Sequence, residues 1–357
     1  MRINRTVQRL DAYVPGEQPV SPDIVKLNTN ENPYPPSPRC AQVLANFNLD
    51  RLRRYPDPNF IRLRQAIAAR CGCAIGNVFV GNGSDEILAL AAKAFVEDGE
   101  CIASLNPSYS LYRTLSDIRA VDWVGLDALD GGEIVERRTS LPERTALFLF
   151  TNPNAPTGTF VAPADIARFA QGFHGTVLVD EAYADFAAAN AMPLAVAPDN
   201  ENLVVMRTFS KSYSLAGLRV GYCVGPQALI DALYKIKDSY NVDAVAQEVA
   251  LAAYEDVAYH RETVAKVVAE RERLFCELAG RGWDAIPSAA NFIFAAPPPQ
   301  MSAETVFARL REHGVYVRYF PGPLTGSRLR ITVGTPEQTA RLLAAIDDIA
   351  STIQQKV

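Results

Sequence analysis

Three short apolar runs constrain the fold of this chain more than any other feature. They read ALFLFTNPNAPTG at 146–158, TVLVDEAYADF at 176–186 and LVVMRTFSK at 203–211, and each ends in polar residues. Continuous apolar runs of this length are typical of strands buried on both faces, and the intervals between them suit helical crossovers. The sequence therefore predicts an α/β fold built around a mostly parallel sheet.

The polar residues that follow these runs are candidates for a functional site. Parallel strands end at the same edge of a sheet, and open α/β sheets bind ligands there. The residues that this rule brings together are Asn152, Asn154, Asp180, Tyr183, Ser210 and Lys211. A single polar residue at a strand end is usually a cap, so the convergence is the informative observation.

Lys211 lies in the segment TFSKSYSLAGLRVGY at 208–222, between two serines. A lone lysine in a polar loop is usually a solvated surface charge. Here Arg207 directly precedes this segment and Arg219 lies within it, and nearby positive charges lower a lysine pKa from its usual value of about 10.4. A lysine with a lowered pKa attacks carbonyl groups and forms Schiff bases. We therefore predict that Lys211 is a nucleophile.

The run VFVGNGSDEILALAAKAF at 78–95 predicts a strand, a glycine loop and a helix. Ser84 and Asp85 lie where the helix begins, so free backbone N–H groups and the positive helix end would form an anion site there. The loop lacks the spacing of a nucleotide P-loop and of GxGxxG. In the equally favoured structural interpretation, one of these two residues only caps the helix.

Composition excludes several classes of function. The 357 residues are 48% hydrophobic with a net charge of -5, which gives no general attraction to nucleic acid or anionic lipid. The sequence has no run of about 18 apolar residues and no apolar signal-peptide core, so we expect no membrane partner and a cytoplasmic location. Its six cysteines and three histidines are scattered, so we expect no metal site.

The chain divides into an arm and two domains in this prediction. Residues 1–40, rich in Pro and Asn, form an arm outside the core, 41–245 form a large domain, and 246–357 form a small α+β domain entered by one or two long helices. In the small domain Arg318 and Arg330 lie on or beside strands. A semi-buried arginine suits a planar anion, although a surface ion pair is an equally good interpretation for each.

Several motifs taken together resemble fold-type-I pyridoxal-phosphate aminotransferases, and within them the histidinol-phosphate aminotransferases. They span essentially the whole chain and read LNTNENPYPPSP, YPDPN, GNGSDE, NPSYSLY, NPNAPTGT, VDEAY, TFSKSYSLAGLRVGY, SYNVDAVAQ and LRITVGT. The resemblance implies a mostly parallel large-domain sheet flanked by helices, a small α+β domain and pyridoxal 5'-phosphate as cofactor. It implies transfer of the amino group of L-histidinol phosphate to 2-oxoglutarate.

The resemblance also implies a role for individual residues. Lys211 carries the Schiff base, Asp180 pairs with the pyridinium nitrogen and Tyr183 contacts the ring oxygen. The other implied cofactor contacts are ring stacking by Tyr109, a polar contact from Asn154, and phosphate contacts from Ser84, Asp85, Thr208, Ser210 and Arg219. The implied substrate residues are Arg330, Arg318, Tyr13 and Tyr240. Tyr55 would reach the cofactor of a neighbouring subunit, which implies a homodimer.

Two positions depart from the family pattern. Relatives often read PNNPTG, whose second asparagine contacts the ring oxygen, whereas this chain has Ala155 there. Asn152 or Asn154 could replace that contact, or Tyr183 could make it alone. Asp243 would add a carboxylate near the pocket, where an anionic substrate would be disfavoured.

Three other functions share parts of this pattern. An aromatic amino-acid aminotransferase differs only in the substrate pocket. A pyridoxal-phosphate-dependent phospho-amino-acid decarboxylase uses the same electron sink and breaks a different bond. A cofactor-sensing regulatory domain would need a DNA-binding module, which the short, proline-rich arm does not supply.

Overall fold

The computed structural model describes residues 2–3, 5–10, 16–19, 23–129 and 134–354. Its α-helices are α1 (Arg5–Arg9), α2 (Pro38–Ala45), α3 (Ile61–Cys71), α4 (Ser84–Ala94), α5 (Leu111–Arg119), α6 (Ile134–Arg137), α7 (Pro163–Gln171), α8 (Gln227–Ile236), α9 (Ala244–Glu255), α10 (Val257–Gly280), α11 (Ala303–Glu312) and α12 (Pro336–Gln354). Its strands are β1 (Val25–Lys26), β2 (Val78–Gly81), β3 (Cys101–Asn106), β4 (Asp122–Asp127), β5 (Thr145–Thr151), β6 (Thr176–Asp180), β7 (Leu203–Thr208), β8 (Gly221–Val224), β9 (Asp284–Ile286), β10 (Phe292–Ala296), β11 (Val315–Tyr316), β12 (Arg318–Tyr319) and β13 (Leu329–Thr332).

A seven-stranded sheet forms the centre of the large domain, in the order β2-β8-β7-β6-β5-β3-β4. Strand β8 runs antiparallel to both of its neighbours, and every other pair is parallel. The three apolar runs form β5, β6 and β7, which lie side by side. The predicted mostly parallel sheet is therefore confirmed.

Helices cover both faces of this sheet, which explains why apolar and polar residues do not alternate along its central strands. In β5, Leu147 and Leu149 belong to one core cluster, and Phe148 and Phe150 belong to the cluster on the opposite face. All four are fully buried. Burying each such side chain contributes roughly 1.5–3 kcal/mol, so both faces select apolar residues.

The carboxyl ends of the parallel strands meet at one edge of the sheet. Thr151 at the end of β5 lies opposite Asp180 at the end of β6, and Asp180 lies opposite Met206 in β7. Gly221 begins β8 at the same edge, where an added Cβ would come within 2.7 Å of the Ser84 backbone nitrogen. Glycine at 221 thus lets the start of α4 approach the sheet.

The small domain has a separate core under an antiparallel sheet ordered β12-β13-β10-β9. Strand β1 pairs in parallel with β11, and Val25 and Leu27 are buried in this core. The sequence placed all of 1–40 in an arm outside the core. That interpretation was wrong for these two residues, because a two-residue strand leaves no recognisable pattern in the sequence. The predicted long helical stretch forms two helices, α9 and α10.

Candidate active site

A cavity of about 500 Å³ lies at this edge of the sheet, between the large and small domains. The predicted site residues on its wall are Ser84, Asp85, Tyr109, Asp180, Tyr183, Thr208, Ser210, Lys211, Arg219, Arg318 and Arg330. Residues of the N-terminal segment, Asn28, Thr29 and Asn30, also line it. The structure therefore gathers most of the residues that sequence reasoning selected.

The Lys211 side chain points into this cavity from the loop after β7. Its Nζ donates a hydrogen bond to the Thr29 carbonyl oxygen at 3.1 Å and lies 5.8 Å from the centroid of the Tyr183 ring. Burial and then the positive charge of Arg330 lower the pKa of Lys211 to about 8. Roughly a tenth of the amine is therefore neutral and nucleophilic at pH 7, far more than for a lysine with the usual pKa of about 10.4.

The cause of this lowered pKa differs in part from the sequence prediction. Arg219 contributes, as expected, but Arg207 is not among its causes. Arg207 instead forms ion pairs with Glu181 at 2.8 Å and with Asp185 at 3.0 Å. The prediction for Arg207 was wrong because proximity to Lys211 in the sequence does not determine where the Arg207 side chain lies. Its guanidinium instead contacts carboxylates in the loop that follows β6.

Asp180 ends β6 as a buried carboxylate on the cavity wall. Burial raises its pKa to about 6, while hydrogen bonds from the Tyr112 hydroxyl at 2.8 Å and the Ala182 backbone N–H at 3.1 Å oppose that rise. The carboxylate is therefore mostly charged at pH 7. Sequence reasoning missed Tyr112, although it lies in the NPSYSLY motif.

Donors suited to an anion surround the start of α4. The N-cap is Gly83, with φ 80°, so neither Ser84 nor Asp85 holds the cap position. Arg219 donates from Nη1 to Ser210 Oγ at 3.2 Å, and Thr208 Oγ1 donates to the same oxygen at 3.0 Å. Hydroxyl groups, a guanidinium and the helix amino end thus converge on one corner of the cavity.

The small domain supplies two guanidinium groups to the opposite wall. Arg330, in β13, lies opposite Arg318 in β12 and donates from Nη2 to the Asn28 carbonyl oxygen at 3.1 Å. The ring centroid of Phe320 lies 5.1 Å from the guanidinium carbon of Arg330 and 5.2 Å from that of Arg318. The stacked arginines present forked donors, which bind planar or tetrahedral anions well.

Comparison with known proteins identifies the family. Residues 22–346 match the family described as aminotransferase class I and II. The chain belongs to this family. The family and the fold class predicted from the sequence are confirmed, as is the prediction of an aminotransferase.

Named relatives and solved structures resemble this aminotransferase over nearly its whole length. Histidinol-phosphate aminotransferase 1 of Nostoc sp. is 42% identical, and that of Bradyrhizobium diazoefficiens is 45% identical; both alignments cover 96% of this chain, and 96% and 97% of the relatives. The crystal structure of histidinol-phosphate aminotransferase from Sinorhizobium meliloti in complex with pyridoxal-5'-phosphate has a TM-score of 0.89 at 24% identity, covering 100% of this chain and 98% of the other.

In this aminotransferase, Asn154 does not line the cavity. Its side-chain amide donates to the Pro107 carbonyl oxygen at 3.0 Å and to Thr157 Oγ1 at 2.9 Å. Its Oδ1 accepts a hydrogen bond from Ser108 Oγ at 2.9 Å, and Ser108 does line the cavity. The buried Asn154 thus supports the wall from behind.

Neither asparagine near Ala155 faces the cavity in its place. Asn152 is held by the Val161 backbone, donating from Nδ2 at 3.0 Å and accepting at Oδ1 at 2.8 Å. Ala155 itself lines the wall. Of the three residues that the sequence left open for the ring-oxygen contact, Tyr183 lines the cavity and the two asparagines do not.

Two further predicted residues, Tyr55 and Tyr240, do not line the cavity. Tyr55 and Tyr240 stack with ring centroids 4.3 Å apart on the surface, where they are 79% and 44% exposed. Tyr13 lies outside the described residues. Asp243, expected near the pocket, caps α9 by accepting a hydrogen bond from the Ala246 N–H at 2.8 Å and does not line the cavity.

The part of the chain that the structure describes contains no group of three or more His, Cys, Asp or Glu side chains that could hold a metal ion. Among the same described residues, none of the helices combines the length and apolar character needed to span a bilayer.

Proposed function

We propose that this chain is a pyridoxal-phosphate-dependent aminotransferase that converts L-histidinol phosphate and 2-oxoglutarate to imidazole-acetol phosphate and L-glutamate, in histidine biosynthesis. The observation that carries the proposal is the placement of Lys211, Asp180 and two small-domain arginines around one cavity. The names of the relatives at 42% and 45% identity support the choice of substrate.

The residues present fit pyridoxal 5'-phosphate by their chemistry. A neutral amine at Lys211 suits its aldehyde, the buried carboxylate of Asp180 suits the protonated ring nitrogen, and the donors around Ser84 and Arg219 suit its phosphate. The Tyr109 ring on the wall provides a flat surface. When bound, this cofactor supplies an electron sink for the electron pair left after removal of the substrate α-proton.

Lys211 is the proposed proton carrier of the reaction. Its pKa of about 8 lies close to neutral pH, where one group can both accept and release a proton. Asp180 holds its negative charge on the cavity wall, because its pKa of about 6 lies below neutral pH. The two groups thus perform separate tasks from adjacent strand ends.

Arg330 and Arg318 would bind the anionic end of each substrate. A phosphate ester carries a charge of about -1.5 to -2 at neutral pH, and a carboxylate carries one negative charge. Planar guanidinium forks accommodate both geometries, whereas an ammonium group offers no fixed fork. A phenylalanine side chain in the same position would leave the arginines without this charge pairing.

The assembly proposed for this enzyme is a homodimer in which Tyr55 reaches the neighbouring cofactor. Tyr55, which stacks on Tyr240, lies close in sequence to Leu49 and Leu52, which are 73% and 55% exposed. Apolar side chains of this size on one surface favour burial against a second copy. Sedimentation of the purified protein at several concentrations tests this assembly.

A cytoplasmic location is part of the same proposal. All six cysteines are free, including the buried Cys40, Cys101 and Cys223. Unpaired cysteines are typical of reducing compartments. Cell fractionation with an antibody against the protein tests this location.

The substrate proposal is tested by a half-reaction titration of the purified holoenzyme. L-Histidinol phosphate and L-phenylalanine are added separately while the visible absorption of the bound cofactor is followed. We expect loss of that absorption at a much lower concentration of histidinol phosphate. Preference for phenylalanine would instead indicate an aromatic amino-acid aminotransferase, and a response to neither would contradict both. Lys211→Ala, the negative control, should lack the starting visible absorption.

A further inference from the structure

Asn30 joins the two domains at the cavity through its side chain. It is 1% exposed, and its Nδ2 donates a hydrogen bond to the Tyr183 hydroxyl oxygen at 2.9 Å in the large domain. Its Oδ1 accepts a hydrogen bond from Thr332 Oγ1 at 3.1 Å in the small domain. The Asn30 backbone N–H donates to the same Thr332 oxygen at 3.0 Å.

In the structure these contacts assign a direction to the hydrogen bonds that run from Thr332 through Asn30 to Tyr183. Thr332 Oγ1 accepts from the Asn30 backbone, and its single proton goes to Asn30 Oδ1. The amide nitrogen of Asn30 must then face Tyr183 and donate to it. Because that donor occupies one side of the Tyr183 oxygen, the hydroxyl proton of Tyr183 points elsewhere, and Tyr183 lines the cavity.

The backbone conformation at Asn30 supports this orientation of its side chain. Its φ is 56°, a left-handed conformation that asparagine tolerates better than most residues. Asn291 of the small domain donates from Nδ2 to the Asn30 carbonyl oxygen at 3.0 Å. Burial raises the pKa of Tyr183, so its hydroxyl keeps the proton at neutral pH.

We propose that Asn30, oriented by Thr332, is a positioning residue that directs the Tyr183 hydroxyl proton towards the ring oxygen of the bound cofactor. This inference rests on the proposed function. The inference extends the proposed function, because the direction of the Tyr183 hydroxyl proton in the large domain then depends on Thr332 in the small domain. It also explains why alanine can replace the family's asparagine at 155, since a correctly oriented Tyr183 hydroxyl can donate to the ring oxygen without a second contact.

Asn30→Asp replaces the hydrogen-bond donor that faces the Tyr183 hydroxyl with an acceptor, in a side chain of nearly the same shape. A carboxylate has no proton to donate, so the Tyr183 hydroxyl turns to donate to it and leaves the ring oxygen. Losing that donor disfavours the deprotonated cofactor linkage to Lys211. We expect the pH midpoint of the visible absorption of the holoenzyme to rise by about one unit.

Thr332→Val tests the same device without adding a charge. It removes the hydroxyl that orients Asn30, so the amide can rotate and the midpoint should rise by a smaller amount. Thr339→Val is the matched control, because Thr339 is also fully buried in the small domain and its hydroxyl has no hydrogen-bond partner among the described residues. The control should titrate like the wild type.

The measurement is a pH titration of visible absorption without substrate, repeated in a Tyr183→Phe background. The Thr332→Val shift should vanish there, and the Asn30→Asp shift should shrink to the direct effect of its charge. Equal shifts in both backgrounds, or no shift in Thr332→Val, would overturn the inference. If Asn30→Asp does not fold, Thr332→Val decides alone. Failure of the wild type to bind pyridoxal 5'-phosphate would contradict the proposed function itself, whereas normal binding with unshifted variants contradicts only the role of Asn30.

Discussion

The Tyr112 hydroxyl donates a hydrogen bond of 2.8 Å to the Asp180 carboxylate, from the start of α5 to the end of β6. Both side chains are buried, at 1% and 4% exposure. Burial raises the pKa of Asp180 to about 6, and this hydrogen bond is the largest effect that opposes the rise. The tyrosine therefore helps to keep the carboxylate charged at neutral pH.

Tyr112→Phe should narrow the pH range of cofactor binding. Removing the donor raises the Asp180 pKa further, so the carboxylate becomes protonated at a higher pH and the acid limb of the binding profile moves up by about one unit. The measurement is the affinity of the apoenzyme for pyridoxal 5'-phosphate as a function of pH. Tyr213→Phe, which changes a buried tyrosine outside the cavity, is the control, and an unmoved acid limb in Tyr112→Phe would contradict the expectation.

Arg330→Gln should slow the capture of the cofactor near neutral pH. The positive charge of Arg330 is, after burial, a cause of the lowered pKa of Lys211, so its removal raises that pKa above about 8. A smaller fraction of Lys211 is then neutral at pH 7.5. The measurement is the rate of formation of visible absorption in apoenzyme mixed with pyridoxal 5'-phosphate, as a function of pH.

Arg330→Lys separates this charge effect from anion binding. It keeps the positive charge, so the pH midpoint of cofactor capture should stay near that of the wild type. It loses the guanidinium fork, so KM for histidinol phosphate should rise by roughly tenfold or more. A lysine variant with an unchanged KM would show that the fork of Arg330 does not hold the substrate.

Arg207→Gln should destabilise the large domain strongly. Arg207 pairs with Glu181, whose side chain is fully buried, and with Asp185. Removing one partner of a buried ion pair leaves uncompensated charge and costs about 3–5 kcal/mol in the free energy of unfolding. Urea unfolding measures the loss. Arg309→Gln, which removes an exposed pair with Glu312, should cost at most about 1 kcal/mol, and similar losses in both variants would refute the distinction.

Tyr55→Phe should weaken retention of the cofactor without changing the stability of the subunit. The Tyr55 side chain is 79% exposed, so its hydroxyl contributes little to the fold of its own chain. The proposed contact to a neighbouring cofactor would be lost. The measurement is the dissociation of cofactor on dilution. Tyr259→Phe, which removes a surface hydroxyl bonded to the Pro35 carbonyl oxygen, is the control; equal retention in both variants would leave Tyr55 with a packing role.

The sequence alone determined the sheet and the location of the site. The apolar runs required strands buried on both faces, and the polar residues after them had to meet at one sheet edge because parallel strands end together. Lys211, Asp180 and Tyr183 could therefore be selected from local pattern, and the structure places all three on one cavity. The helix start at Ser84 could also be predicted from local pattern, since the beginning of a helix depends on residues adjacent in the sequence.

Only the tertiary structure decided how the selected side chains are oriented and what supports them. Asn30 and Thr332 are 302 positions apart in the chain, yet a pair of hydrogen bonds joins them beside Tyr183. The partners of Arg207 and the orientation of Asn154 likewise depend on distant loops. Hydrogen bonds are short and directional, so they follow from the final packing of segments, whereas burial patterns are already present in the order of residues.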